Sequence, residues 1–440
     1  GGGNFQVDGQ IRFGDQRGSE TSPVLATMNL RGGSFVHTSA SEGVQFGYRS
    51  PAANGVINIY GGLFDEYADL RMGMNGSVSH LNLHGGVLRM RNITASTGDE
   101  HLLFDGCTLQ PRTAGYTLSG LTAAYVSTNG AVIDTSLADY TVAQDLLTDS
   151  GLGGAADGGL VKLGANTLTF TSYGSTYTGS TIVSNGTLCI AGTLPANNAL
   201  FVASNAEALI GGSATQTVTA ASLTLDGNAR LGFAFALDGS TNDRLTVSTT
   251  PVIGTGCGIS LYQFNTRQPF TKNGTYTLLT YSGDDPAVSN LSCSNAAYGK
   301  TYTFAASGGS LTVTIASDSA SASVWNVNAG GNWSDAGNWT VAPASTVGSQ
   351  VRFDSAISAP VTVETIGETV GELFFNNTKT YTLGGTGLTI DNDTPPALVN
   401  VENGSHIISA PLTLNGDTTV NLSPSTLLTL GSVSGPSATL

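Results

Sequence analysis

At 440 residues the chain is long enough for a large core, yet only 11% of it is charged, where an ordinary soluble domain has roughly a quarter. Glycine numbers 58 and proline 14, and apolar residues make up 40%; their recurrence along the whole chain argues against disorder and for many short strands with tight turns. The formal net charge is −15, with only 16 Lys and Arg, so there is no basic footprint for nucleic acid or an anionic membrane.

Residues 1–110 carry an internal repeat. Asn29-Leu30-Arg31-Gly32-Gly33-Ser34-Phe35 recurs as Asn58-Ile59-Tyr60-Gly61-Gly62-Leu63-Phe64 and as Asn82-Leu83-His84-Gly85-Gly86-Val87-Leu88, and Gly2-Gly3-Asn4-Phe5 matches the tail of an earlier copy. A second half follows each copy: Ile11-Arg12-Phe13-Gly14, Val44-Gln45-Phe46-Gly47, Leu70-Arg71-Met72-Gly73, and a looser Leu102-Leu103-Phe104-Asp105. The glycine pairs fall 29 and then 24 positions apart (Gly32, Gly61, Gly85), a period that fits one solenoid coil. The apolar residues flanking each pair are expected to point inward, the glycines to turn a corner where backbones approach, and Asn29, Asn58 and Asn82 to stack as an amide ladder inside the turn.

Residues 111–158 continue with Gly130–Thr135 and Tyr140–Val142, and Gly151–Gly159 reads as a flexible turn. From Gly159 to Leu188 apolar and hydroxyl side chains alternate around Thr167–Phe170 and Thr181–Val183, the period of half-buried strands. Gly164, Gly174, Gly179 and Gly186 punctuate the stretch, and Asn185-Gly186 is a turn dipeptide. Three short strands are expected, in a unit that needs like units stacked on it.

This stretch resembles the autotransporter-associated β-strand repeat of bacterial surface proteins, through Leu160-Val161-Lys162-Leu163-Gly164, Asn166-Thr167-Leu168-Thr169, Tyr177-Thr178-Gly179-Ser180-Thr181 and Gly186-Thr187-Leu188 in that order. Ala165-Asn166 departs from the glycine the family tends to place beside the Thr-Leu step. The resemblance implies a passenger-type β-solenoid displayed outside the cell or on the bacterial outer-membrane surface, whose stacked repeats help the passenger fold there.

Further strands are expected at Ala199–Val202, Ser222–Leu225, Arg230–Phe235, Arg244–Val247, Gly258–Tyr262, Thr275–Tyr281 and Ser310–Ile315, with larger coils or a sandwich-like end. A second unit opens near 324. Trp325, Trp333 and Trp339, the chain's three tryptophans, cluster in a segment that resembles the start of another repeat block. Strands follow around Phe353, Val361–Val363, Leu373–Phe375, Tyr381–Leu383 and Leu388–Ile390, and the remainder, through His406–Leu414 and Thr418–Leu422, leads toward a next repeat.

Catalytic patterns are scarce. GxSxG, HExxH, Walker A, EF-hand and calcium-nonapeptide motifs are missing from the sequence; Ser294–Thr301 contains Gly-Lys-Thr but lacks the first glycine of a phosphate loop. Two acidic clusters stand out: Asp99, Glu100, His101 and Asp105 near Arg89 and Arg91, and Asp65, Glu66 and Asp69 with Arg71. Paired carboxylates on an exposed face could act on a glycoside, but a solenoid also keeps its charges outside for solvation alone. The tryptophans either stack on sugar rings or brace the start of a solenoid. Cys107, Cys189, Cys257 and Cys293 form no zinc pattern; Cys257 and Cys293 could pair across neighbouring coils, or all four could be small buried thiols.

The expected fold is all-β, a right-handed parallel β-helix in three parts: 1–158 with the Asn-Leu-x-Gly-Gly coils, 159–317 with the family repeat and following coils, and 318–440 as a second, Trp-initiated block after a break near 318–326. About 25 residues per coil would give roughly 17 coils. The expected function is structural, a stalk or passenger segment of a larger secreted or surface-displayed bacterial protein, with an adhesive role. Two alternatives stay open, a polysaccharide lyase or glycoside hydrolase on the same scaffold and a carbohydrate-binding module. No catalytic, cofactor-binding or metal residue is assigned. The expected partners are glycans or surface proteins of a host or the environment, with no nucleic acid and no membrane contact in this stretch. The chain reads as an internal part of a longer protein that continues into flanking repeats.

Overall fold

The structure is a computed structural model and describes all of the chain except residues 1–2, 15–23, 42, 47–50, 212–214, 298–299, 318–321, 344, 393–396 and 436–440. Gly2, Gly47, the Tyr298-Gly299 step, the first residues of the expected break and the last five residues therefore lie outside the described residues. The chain divides into two compact units, Gly1–Ser317 and Asp318–Leu440. Both are parallel β-solenoids, with about 15 turns in all, and the described residues contain no α-helix. The count falls below 17 because the first unit ends in a hairpin that uses chain without adding a turn.

In the first unit one sheet of eleven strands runs from Asn4–Val7 to Val252–Ile253. Ser34–His37, Leu63–Glu66 and Val87–Met90 follow one another in it, so Phe35 stacks on Phe64 and Phe64 on Leu88. A six-stranded sheet from Val24–Leu30 to Leu146–Thr148 forms a second face; a four-stranded sheet from Arg12–Phe13 to Asn92–Thr94 forms a third. An eight-stranded sheet from Thr117–Leu118 to Leu291–Cys293 continues beyond it. The eleven-stranded sheet runs across residue 158 without interruption, because Ala131–Asp134 pairs with Leu160–Leu163.

The alternation in the sequence explains the core. Leu30, Ile59 and Leu83 before the glycine pairs and Phe35, Phe64 and Leu88 after them are all buried. Phe5, Phe35 and Phe64 form a column with centroids 5.7 and 4.7 Å apart. The second glycine of each pair is required twice over. Gly62 and Gly86 have φ of +83° and +74°, and a Cβ on Gly62 would strike the Gly33 carbonyl oxygen, as one on Gly86 would strike that of Gly62.

The amide ladder forms, but not inside the turn. Asn58 Nδ2 donates to Asn29 Oδ1 and Asn82 Nδ2 to Asn58 Oδ1, each at 2.8 Å. These asparagines sit within the strands Val24–Leu30, Ala53–Ile59 and Val78–Leu83, one residue before the buried Leu30, Ile59 and Leu83. The period of two therefore turns them outward.

The family-like stretch contains four short strands, not three: Leu160–Leu163, Thr167–Phe170, Thr181–Val183 and Thr187–Ile190. The Gly186-Thr187-Leu188 step opens the fourth. Thr181 lies beside Leu160, 21 residues on, and Leu200 beside Thr181, 19 residues on. Coils this short hold two strands each; the six-stranded face has ended, and a third face resumes at Thr217–Ala220.

That resumed sheet ends the unit. Its strands Thr217–Ala220, Arg244–Val247 and Gly274–Tyr281 are parallel, but Ser310–Ser317 and Lys300–Ser307 join antiparallel. Lys300 and Thr301 of the Gly-Lys-Thr step thus lie in a strand, not in a phosphate-binding loop. Cys257 pairs with Leu291 while Cys293 pairs with Ile259, a register that keeps the two thiols apart. All four cysteines are free, three buried and Cys293 partly exposed.

The second unit has three parallel sheets of five, five and four strands. The segment His406–Leu414 holds two strands, Ser405–Ile408 and Leu412–Leu414. At its start Trp325, Trp333 and Trp339 are buried around Phe353, with ring centroids 6.0, 5.7 and 5.5 Å from it, and Phe353 stacks on Phe375 at 5.5 Å.

Candidate functional site

A linked set of buried polar groups lies in the stretch 157–198. Leu160 faces the core, so Lys162, two residues on, does too and is fully buried. Its Nζ donates to the carbonyls of Leu163, Gly164 and Asn185 at 3.0, 2.8 and 2.8 Å, which ties two successive turns together. Burial pushes the Lys162 pKa down to about 8, against the pull of Asp134 and Asp139.

Asp157 does the complementary work with anionic charge. Its Oδ1 accepts from the amides of Gly159 and Gly179, and its Oδ2 from the amide of Thr178 and the hydroxyl of Thr148, all at 2.8–2.9 Å. Burial raises its pKa, but the amides of Gly179, Thr178 and Gly159 and the Thr148 hydroxyl together hold it below the ordinary value. The segment expected to be a flexible turn is therefore pinned at its end. Tyr177 is buried with its hydroxyl 2.7 Å from Thr181 Oγ1, and Asn198 Nδ2 donates to the Gly179 carbonyl at 2.6 Å. Tyr177-Thr178-Gly179 is thus a turn held from three sides, which gives that motif its physical reason.

Residues 160–190 match the family model of the passenger-associated-transport-repeat. The chain carries a passenger-associated transport repeat. Together with the β-solenoid around it, the match fits an autotransporter passenger-like repeat protein. No curated protein matches the chain. The passenger repeat family implies a surface or secreted location and suggests a structural rather than a catalytic role.

The acidic clusters expected from the sequence come apart in this solenoid. Asp99 and His101 face outward on Asp99–Phe104, 2.9 Å from one another. Glu100 faces inward and accepts from the amides of Ser96 and Gly98 and the hydroxyl of Thr122. Asp105 holds the Asn129 amide and side chain and meets His84 at 3.2 Å. Arg89 and Arg91 belong to a different face, where Arg91 grips Asp69 with two bonds of 2.8 and 3.0 Å.

In the second cluster Asp65 bonds Arg112, and Arg112 lies 3.7 Å over the Tyr67 ring. Glu66 turns inward to His37: Oε1 is 2.8 Å from Nδ1, and both side chains are fully buried. His37 Nε2 reaches the Gly9 carbonyl at 2.8 Å, and the Ala68 amide donates to Glu66 at 2.8 Å. Burial above all raises the Glu66 pKa, against the His37 bond. Asp69 and Arg71 share the next strand, Asp69–Arg71, where Arg71 lies beside Thr94. Neither cluster brings two carboxylates to one groove.

The tryptophans offer no stacking face. Trp325, Trp333 and Trp339 are 1%, 1% and 5% exposed. Trp325 Nε1 donates to the Ala329 carbonyl at 3.1 Å and Trp339 Nε1 to the Trp333 carbonyl at 2.7 Å, while Trp333 Nε1 is buried without an acceptor. Among the described residues no group of three or more His, Cys, Asp or Glu could hold a metal ion, and no helix is long and apolar enough to cross a membrane.

Sequence reasoning missed the inward-facing polar residues His37, Glu66, Glu100 and Lys162. Parity was the available signal: each lies two residues from a core apolar residue, at Phe35, Phe64, Leu102 and Leu160.

Proposed function

We propose that this chain is a non-catalytic shaft of a bacterial passenger protein, which extends a stack of coils outward and presents its side faces for adhesion. The observation that carries this reading is that Lys162 of the passenger repeat and Asp157 just before it are spent on hydrogen bonds within the solenoid's own turns. Lys162 meets only carbonyls, and Asp157 meets amides and a hydroxyl, across adjacent turns. Such groups fix one turn upon the next, and stability then accumulates coil by coil. A chain emerging from a membrane would fold outside the cell by adding turns to those already formed.

A reducing-end release assay on mucin, pectin and glycosaminoglycans tests the non-catalytic part. No release is expected. Release of reducing or unsaturated ends, lost on Asp65→Asn or Asp99→Asn, would overturn the reading in favour of a polysaccharide-active enzyme.

A further inference from the structure

The last sheet of the first unit has an outward face built mainly of threonine. Its inward positions, among them Val218, Leu245, Leu279, Val313 and Ile315, are core. Outward, Thr219, Thr246 and Thr280 stand side by side on three consecutive strands. Thr275, Thr314 and Thr303 form a second row, and Thr277 and Thr312 a third. Neighbouring hydroxyls touch across strands: Thr246 and Thr280 at 3.0 Å, Thr275 and Thr314 at 2.9 Å.

The charge of this face sets it apart. The protein carries 31 Asp and Glu, yet none lies on these five strands, whose only charged residues are Arg244 and Lys300 at strand starts. Rows repeat at ~4.8 Å across strands and ~6.7 Å along them. Each position offers a hydroxyl that both donates and accepts, beside a methyl group.

We propose that this threonine face is a contact surface for a neutral, hydroxyl-rich polysaccharide. Sugar hydroxyls meet the threonine hydroxyls as donors and acceptors, ring C–H groups lie on the methyls, and the face brings no carboxylate to be desolvated. With no carboxylate and with its charges confined to strand starts, the face complements a partner without charge, and binding is indifferent to salt. The inference rests on the reading of the chain as a presented shaft and names what one of its faces meets.

The test is co-sedimentation of the whole chain with microcrystalline cellulose, chitin and insoluble starch, from about 0.05 to about 1 M salt. Retention on at least one polymer, unchanged by salt, is expected. The pair Thr275→Glu and Thr303→Glu should lower retention about tenfold, while Leu137→Glu, at an exposed position in the bend between Ala131–Asp134 and Tyr140–Val142, should not. The pair Thr275→Val and Thr303→Val keeps the strand preference and removes only hydroxyls, so it reads the contact even where the charged pair disturbs folding. No retention on any polymer, retention abolished by salt, or retention indifferent to both pairs would overturn the proposal. So would threonine-dependent self-association without retention, which would assign the face to a second copy. Failure of the shaft reading is separate, since it appears as release of reducing ends.

Discussion

Lys162 Nζ lies 2.8 Å from the carbonyl oxygen of Asn185, one turn further along the solenoid. A charged side chain thus closes a backbone turn from within the core. Lys162→Met removes the donor for the Gly164 and Asn185 carbonyls, whereas the Leu163 carbonyl keeps the Thr135 amide. The expected cost is about 2–4 kcal/mol, read as a lower urea midpoint by far-UV circular dichroism. An unchanged midpoint would mean that the clamp adds nothing to stability.

Gly61 and Gly62 are neighbours with different duties. Gly62 has φ of +83° and no room for a Cβ beside the Gly33 carbonyl, while a Cβ on Gly61 would sit 3.2 Å from the Arg31 carbonyl oxygen. Gly62→Ala is expected to cost at least about 2 kcal/mol, and Gly61→Ala clearly less. Equal losses in denaturant titrations of the two variants would refute the corner geometry.

All three tryptophans lie in the Asp318–Leu440 unit, so intrinsic tryptophan fluorescence follows that unit alone. Trp339→Phe breaks the 2.7 Å bond to the Trp333 carbonyl and should cost about 2 kcal/mol. Trp333→Phe removes a buried N–H that has no acceptor, which offsets the lost ring area, and should stay within about 1 kcal/mol of the parent. Denaturation followed by the remaining tryptophans compares the two; the reverse order would contradict the hydrogen-bond assignment.

Asp243 is fully buried, and among the described residues its carboxyl accepts only the amides of Gln216 and Ala234. Burial pushes its pKa up to about 7, against roughly 4 for an unfolded aspartate. The folded state therefore binds this proton more tightly. Its stabilising contribution is complete below about pH 4 and is lost as pH rises through about 7. Glu66 shifts in the same direction, so the informative quantity is the difference between variants. The fall in urea midpoint from pH 5 to pH 8 should be smaller in Asp243→Asn than in the parent; an identical fall would remove Asp243 as its source.

The sequence by itself determined the coil. Its period, the inward apolar residues around each glycine pair, strands such as Ala199–Val202 and Leu388–Ile390, and the passenger repeat were all legible, because strand alternation and turn residues act locally. Only the tertiary structure decided which polar groups meet. Contacts between coils join residues some 20–30 positions apart, and each coil's length sets their register. That register puts Asn29, Asn58 and Asn82 on the outer face, carries Lys162 to Asn185 and Glu66 to His37, and keeps Cys257 away from Cys293. It also buries the tryptophans around Phe353 and gathers threonines from five separate strands onto one face. A shift of one residue would turn every one of these side chains to the opposite side, so the pattern along one strand names its faces but not its neighbours.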